Sequence, residues 1–177
     1  MSSIPYPKEL KIAGIVQDSI VDGPGIRYVI FTQGCPHHCR GCHNPETHDP
    51  SGGQIADVNT ILKQIFSNPL LYGVTFSGGE PFVQAEALVP IAEAVKTKKK
   101  HLMIYTGYLY EQLLEMKNKD VQRLLELSDI LVDGPFIMEQ RDLTLQYRGS
   151  KNQRVIYLVK TRQAGDIVLY KSEYEDL

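Results

Sequence analysis

Short runs of β-branched and aromatic residues alternate along the chain with stretches in which apolar residues recur every three or four positions. The runs predict strands and the stretches predict helices. The predicted strands are Leu10–Val16, Tyr28–Phe31, Val74–Phe76, His101–Tyr105, Ile130–Val132, Val155–Val159 and Ile167–Tyr170. The predicted helices are one capped by Asp57 and ended by Pro69, then Ala85–Val95 with Pro90 inside it, Tyr110–Met116 and Val121–Leu127.

This alternation predicts an α/β fold in which strands pair in parallel through right-handed helical crossovers. The repeats number fewer than the eight of a closed barrel, so we expect a partial, open parallel β/α barrel. Ligands of such sheets bind beyond the carboxyl ends of the strands. Four unusual loops follow predicted strands and should gather there: Cys35, Ser77–Gly79, Thr106–Gly107 and Asp133–Gly134.

Length and composition are ordinary for a globular protein. They exclude some classes of function but do not indicate one. The 177 residues suit a single domain, residues 1–177, with 42% hydrophobic and 23% charged residues. A formal net charge of −2 does not indicate a nucleic-acid surface. No apolar run approaches the roughly 20 residues of a membrane span, and the first residues do not resemble a secretory signal. We therefore expect a cytoplasmic protein.

All three cysteines of the chain, Cys35, Cys39 and Cys42, lie within eight residues. Crowded thiols in a reducing compartment favour a metal site over disulfides. Three thiolates would hold a [4Fe–4S] cluster and leave one iron open to another ligand. The alternative is a zinc site of three cysteines and one of His37, His38, His43 and His48. The spacing within one tight loop favours iron–sulfur over zinc.

The C-x3-C-x2-C spacing resembles the signature of the radical S-adenosylmethionine superfamily. In that superfamily the open iron chelates the methionine part of the cofactor, and an electron from the cluster releases a 5′-deoxyadenosyl radical. The segment Ser77–Pro81 resembles the superfamily's GGEP element. The resemblance implies that Gly78, Gly79 and Glu80 contact the methionine end of the cofactor, with Thr106 nearby. Gly79→Val should then weaken cofactor binding while leaving the iron content intact.

Further segments resemble one family within it, the activating enzymes of glycyl radical enzymes, and its branch that acts on anaerobic ribonucleoside-triphosphate reductase. They are Val21–Arg27, Gln33–Cys35, Cys42–Pro45, Tyr105–Tyr108, Leu131–Phe136 and Arg148–Arg154. The resemblance implies a protein substrate, on which a glycine becomes a radical, and an electron donor such as a flavodoxin-type protein. Asp22, Gly23 and Arg27 would contact the partner.

The sequence leaves several interpretations of the function and of individual residues open. Another enzyme of the superfamily acting on a small molecule, such as a deazapurine-forming one, and a zinc-binding structural module are the alternative functions. Asp133 either orients a ligand or has a capping role, and Arg148–Arg154 is either a solvated loop or a docking element. The superfamily commonly has an aromatic residue near the adenine just before the third cysteine, where this chain has Gly41. Tyr105, Tyr108 and His43 are the candidates to replace it.

Overall fold

A computed structural model of the chain describes residues 6–171. Seven strands form one open sheet in the order β3-β1-β2-β4-β5-β6-β7. They are β1 (Glu9–Ser19), β2 (Arg27–Thr32), β3 (Gln54–Asp57), β4 (Gly73–Gly78), β5 (His101–Tyr105), β6 (Ile130–Asp133) and β7 (Arg154–Tyr157). The α-helices are α1 (Val58–Ser67), α2 (Ala85–Thr97), α3 (Tyr110–Glu115), α4 (Lys119–Leu127) and α5 (Leu158–Ala164). Short 3-10 helices occur at Pro45–Thr47, Pro81–Gln84 and Met138–Gln140.

The centre of the sheet is parallel and its flanks are antiparallel. Strands β2, β4, β5 and β6 pair in parallel, whereas β1 pairs with β2 and β3, and β7 pairs with β6, in the antiparallel sense. The α/β class with a largely parallel sheet is thus confirmed, whereas the antiparallel pairing at its flanks was not predicted. The difference arises because no helix separates β1 from β2, and because a long loop rather than a crossover helix precedes β7.

The prediction also failed locally at the end of the chain. The strand predicted at Val155–Val159 ends at Tyr157, and α5 begins at the next residue. This helix ends at Gly165, which has a φ of 71° as expected of a glycine helix stop. The segment Ile167–Tyr170 makes one isolated bridge to β7 instead of a full strand. Strand β3 was not predicted, because its four residues, three of them exposed, carry little hydrophobic signal.

The helices cover one face of the sheet. There Tyr28, Ile30, Phe76 and Ile104 join the helices in the main hydrophobic core. Asp57 caps α1 by accepting a hydrogen bond from the Thr60 amide at 2.7 Å, as predicted. The opposite face carries a smaller cluster built on β5 and β6 and leaves room for a cavity. Within the described residues, none of the helices has the length and apolarity to cross a bilayer.

Arg27 begins β2, and its side chain is wholly buried, with 0% exposure. Its guanidinium donates to the Thr75 hydroxyl and the Val74 carbonyl, each at 2.6 Å, and to the Pro24 carbonyl at 2.9 Å. It also lies 3.2 Å from Nδ1 of His101. Burial lowers the pKa of Arg27 to about 10. The expectation that Arg27 contacts a partner is therefore corrected, because the residue instead anchors the 22–26 loop from inside.

Acidification should destabilise the fold through His101. Burial and the neighbouring Arg27 lower the pKa of His101 to about 4, and its neutral Nδ1 can accept the Arg27 hydrogen bond. Because the unfolded pKa is about 6.5, this contribution is complete above about pH 6.5 and declines as the pH falls toward 4. In urea unfolding of the metal-free protein, the free energy of unfolding should fall by about 1 kcal/mol between pH 7.5 and pH 5.5 because of His101 alone.

The matched variant is His101→Asn, whose amide oxygen can take over the Nδ1 acceptor position without titrating. In this variant the His101 share of the pH dependence should vanish. An identical decline in the free energy of unfolding for both proteins would contradict the assignment.

Candidate metal centre

A cavity of about 470 Å³ opens at the carboxyl ends of the parallel strands, as the strand-end rule predicts. The loop after β2 contributes the cysteines, and the ends of β4 and β5 contribute short polar segments. The predicted site residues that line this cavity are Asp22, Cys35, Cys39, Cys42, Gly78, Gly79 and Thr106. Gly23, Arg27 and Glu80 are not part of its lining.

The cysteine loop reverses direction at residues with left-handed backbone. Gly34, His38 and Gly41 have φ values of 96°, 49° and 74°. The loop is also tied at its start, because the Gly34 amide donates to the Thr47 carbonyl at 2.8 Å. These turns let Cys35, Cys39 and Cys42 reach the same cavity from one short segment.

The surroundings of the thiols combine burial with hydrogen bonds to sulfur. Burial raises the pKa of Cys35 and of Cys42, while the amides of His37 and His38 partly offset this at Cys35. The Asn44 amide donates to Cys42 Sγ at 3.4 Å. A bound metal removes the thiol proton, and amide donors of this kind stabilise the resulting sulfur charge and tune cluster potentials.

The nearby histidines have other partners. His37 pairs with Glu80, and the rings of His38 and His48 pack edge to face, 5.3 Å apart. His43 is exposed and packs against an aromatic ring. Among the residues that the structure describes, no group of three or more His, Cys, Asp and Glu side chains converges on a single ion. The three soft thiolates that line one cavity fit an iron–sulfur cluster.

The end of β4 packs directly on the cysteine loop. A Cβ on Gly79 would lie 2.4 Å from the Gly34 carbonyl oxygen, and one on Gly78, where φ is 91°, would lie 2.5 Å from the Thr32 amide nitrogen. Gly79→Val would therefore displace the residue that precedes Cys35. The expectation that this substitution spares the iron is revised: it disturbs the metal loop as well as the cavity wall.

Glu80 does not contact the cavity through its side chain. The residue is 0% exposed, and its carboxylate accepts hydrogen bonds from the Thr106 hydroxyl and the Gly107 amide at 2.9 Å. Its amide donates to the Gly34 carbonyl at 2.9 Å. The structure thus places the carboxylate behind the wall formed by Gly78 and Gly79, and the expected contact of residue 80 with the cofactor, through its backbone, stays a prediction.

The structure also gives a reason for glycine at position 41. A Cβ there would lie 2.8 Å from Met138 Sδ, and φ is positive, so Met138 and Phe136 occupy the neighbouring space. Of the three aromatic candidates, Tyr105 and His43 line the cavity, whereas Tyr108 is absent from its lining. Phe136 lines it too and was missed. Its place just after the glycine that ends β6 was the signal that could have found it.

Some of the remaining polar residues line the cavity, and others stabilise the fold around it. Asp22 faces the cavity, and its backbone carbonyl accepts from the Thr75 hydroxyl at 2.7 Å. Asp133 is buried and forms an ion pair with Arg154. This favours a structural role for Asp133 over the orientation of a ligand. Arg148 lines the cavity, but its guanidinium donates to the Gln153 carbonyl at 2.7 Å. Residues 148–153 therefore form an internally bonded loop at the cavity rim, and Arg154 begins β7.

The chain is similar to proteins of one iron–sulfur family. The family model described as a 4Fe-4S single cluster domain matches residues 21–156. The anaerobic ribonucleoside-triphosphate reductase-activating protein of Haemophilus influenzae is 35% identical over 76% of this chain and 89% of its own length. Its counterpart in Vibrio cholerae is 37% identical over 76% and 89%. Among solved structures, QueE from Escherichia coli is similar with a TM-score of 0.44 and 18% identity, over 56% of this chain and 53% of that chain.

Proposed function

Because the chain belongs to the family of anaerobic ribonucleoside-triphosphate reductase-activating proteins, we propose that it generates a glycyl radical on an anaerobic ribonucleotide reductase. It would do so in the cytoplasm, with a [4Fe–4S] cluster, S-adenosylmethionine and an external electron donor such as a flavodoxin-type protein. The observation that carries the proposal is that three thiols and a glycine-rich strand end face the same cavity.

Cys35, Cys39 and Cys42 would hold the cluster and leave one iron for the cofactor. When bound, the cluster and cofactor supply the reductive cleavage that yields a 5′-deoxyadenosyl radical, and the protein supplies binding and orientation. Gly78 and Gly79 would bind the methionine end through their backbone, because glycine lets a ligand approach the chain closely. Thr106, whose hydroxyl already donates to Glu80, would complete that wall.

The rim of the cavity suits a macromolecular substrate. Ile20 and Val21, in the loop that leads to Asp22, are 75% and 72% exposed. Asp22 and Gly23 remain the residues proposed to meet the partner, whereas Arg27 acts only by holding their loop. A glycine α-carbon is a suitable target, since it has no side chain to block its approach to the cavity.

Electron paramagnetic resonance tests the function. The protein is mixed anaerobically with reductant, S-adenosylmethionine and the reductase, and we expect a doublet that collapses when the partner's glycine is α-deuterated. Cleavage of S-adenosylmethionine that needs no protein partner and leaves no radical on the reductase would favour the alternative of a small-molecule enzyme. Zinc in place of iron and sulfide would indicate a structural module.

A further inference from the structure

Glu80 is a buried hub between the cysteine loop and two strand ends. Its carboxylate accepts from the Thr106 hydroxyl and the Gly107 amide, both at 2.9 Å, and from the Phe82 amide at 3.1 Å. A fourth donor is His37 Nε2, at 2.8 Å. A carboxylate buried to this degree is stable only when its oxygens are well supplied with donors, and each of these four has a fixed position.

His37 is the only one of the four donors that lies between the cysteines. Its ring packs edge to face against Tyr108, with 4.5 Å between the ring centroids. It also lies against Gly107, where an added Cβ would be 2.3 Å from His37 Cδ2. The ring is therefore enclosed by the loop that follows β5 and hydrogen-bonded to Glu80, two residues beyond β4.

From these contacts we propose that His37 is a positioning residue for the iron–sulfur cluster, with Glu80 as its anchor. The proposal rests on the cluster assignment made under Proposed function. The pair links the cysteine loop to the strand ends that would hold the cofactor. The cluster and the cavity wall that would bind the cofactor therefore keep a fixed position relative to each other. The His37 amide also hydrogen-bonds the Cys35 sulfur, so anchoring the His37 ring holds an outer-shell contact, and such contacts typically affect metal affinity by about 10- to 100-fold.

The geometry makes the role specific to His37 within its loop. His38 lies next to it between the same two cysteines, but it is exposed and its ring contacts only His48 among the described aromatic contacts. Replacing His38 therefore changes the same loop without touching the hub. His38→Asn is the matched control, because asparagine tolerates the left-handed backbone at that position.

The experiment compares reconstituted wild type with His37→Leu, His37→Gln and His38→Asn, without partner or cofactor. Leucine removes the donor to Glu80, and glutamine can restore it. Iron release to a chelator should be about tenfold faster for His37→Leu and within about twofold of wild type for the other two. The electron paramagnetic resonance spectrum of the reduced cluster should change in His37→Leu and return to that of the wild type in His37→Gln.

Gly107→Ala gives an independent test, because its methyl group would push the His37 ring aside while leaving both partners of the hydrogen bond in the chain. It should reproduce the faster iron release and the altered spectrum of His37→Leu. Equal release and identical spectra for wild type, His37→Leu and His38→Asn would overturn the proposal but leave the proposed function intact. A wild-type protein that takes up zinc rather than an iron–sulfur cluster would overturn both.

Discussion

Replacing any one of Cys35, Cys39 and Cys42 with alanine is expected to abolish the iron–sulfur cluster. The chain has only three cysteines, and all three line the same cavity. Two thiolates would leave two irons without a protein ligand, and the described histidines His37, His38, His43 and His48 have other contacts. The effect should exceed the roughly 10- to 100-fold cost of losing an outer-shell partner.

The measurement is iron and sulfide content after anaerobic reconstitution, followed by cleavage of S-adenosylmethionine under reductant. His38→Asn is again the control, since it alters the same loop and keeps all three thiols. If any of the three alanine variants retained both its cluster and full cleavage, that cysteine would not be a ligand.

The second large effect is structural: Arg27→Met should strongly destabilise the protein. Methionine fills similar space but leaves the carbonyls of Pro24 and Val74 and the hydroxyl of Thr75 without their buried donor. Each such loss costs about 1–3 kcal/mol, and partial relaxation suggests a total of about 3 kcal/mol. For a chain of this length that corresponds to a fall in Tm of roughly 6–12 °C.

Thermal unfolding followed by circular dichroism measures this change. Arg27→Lys should be intermediate, because an ammonium keeps the charge but cannot reproduce the planar fork of donors. Arg141→Met, at an exposed position, should lie within about 0.5 kcal/mol of wild type. If Arg27→Met unfolded at the wild-type temperature, the buried guanidinium would not be anchoring the 22–26 loop.

The cavity and its position could be predicted from the sequence because both follow from local signals. Alternating strand and helix patterns locate the strand ends, and the cysteines and the Gly78–Gly79 pair lie just beyond two of them. The carboxyl ends of parallel strands necessarily meet at one edge. The antiparallel flanks depend instead on the paths of loops, and those paths leave no periodic pattern in the sequence.

The orientations of Arg27 and Glu80 could not be predicted for a related reason. A charged residue is normally exposed, and burial becomes stable only when enough partners surround it. The partners of Arg27 include Thr75 and His101, which are 48 and 74 residues away in the chain. Sequence inspection therefore treats Arg27 as a partner contact and Glu80 as a cofactor contact, whereas the fold buries both side chains behind the cavity.

The bond between His37 and Glu80 joins residues 43 positions apart, and this separation bears on the order of events during folding. The bond to Glu80 can form only after β2 and β4 have paired across the intervening helix, a non-local step that is slow compared with forming local turns. We expect the three thiols to hold a cluster firmly only after this step. Cluster insertion should therefore follow formation of the parallel centre of the sheet.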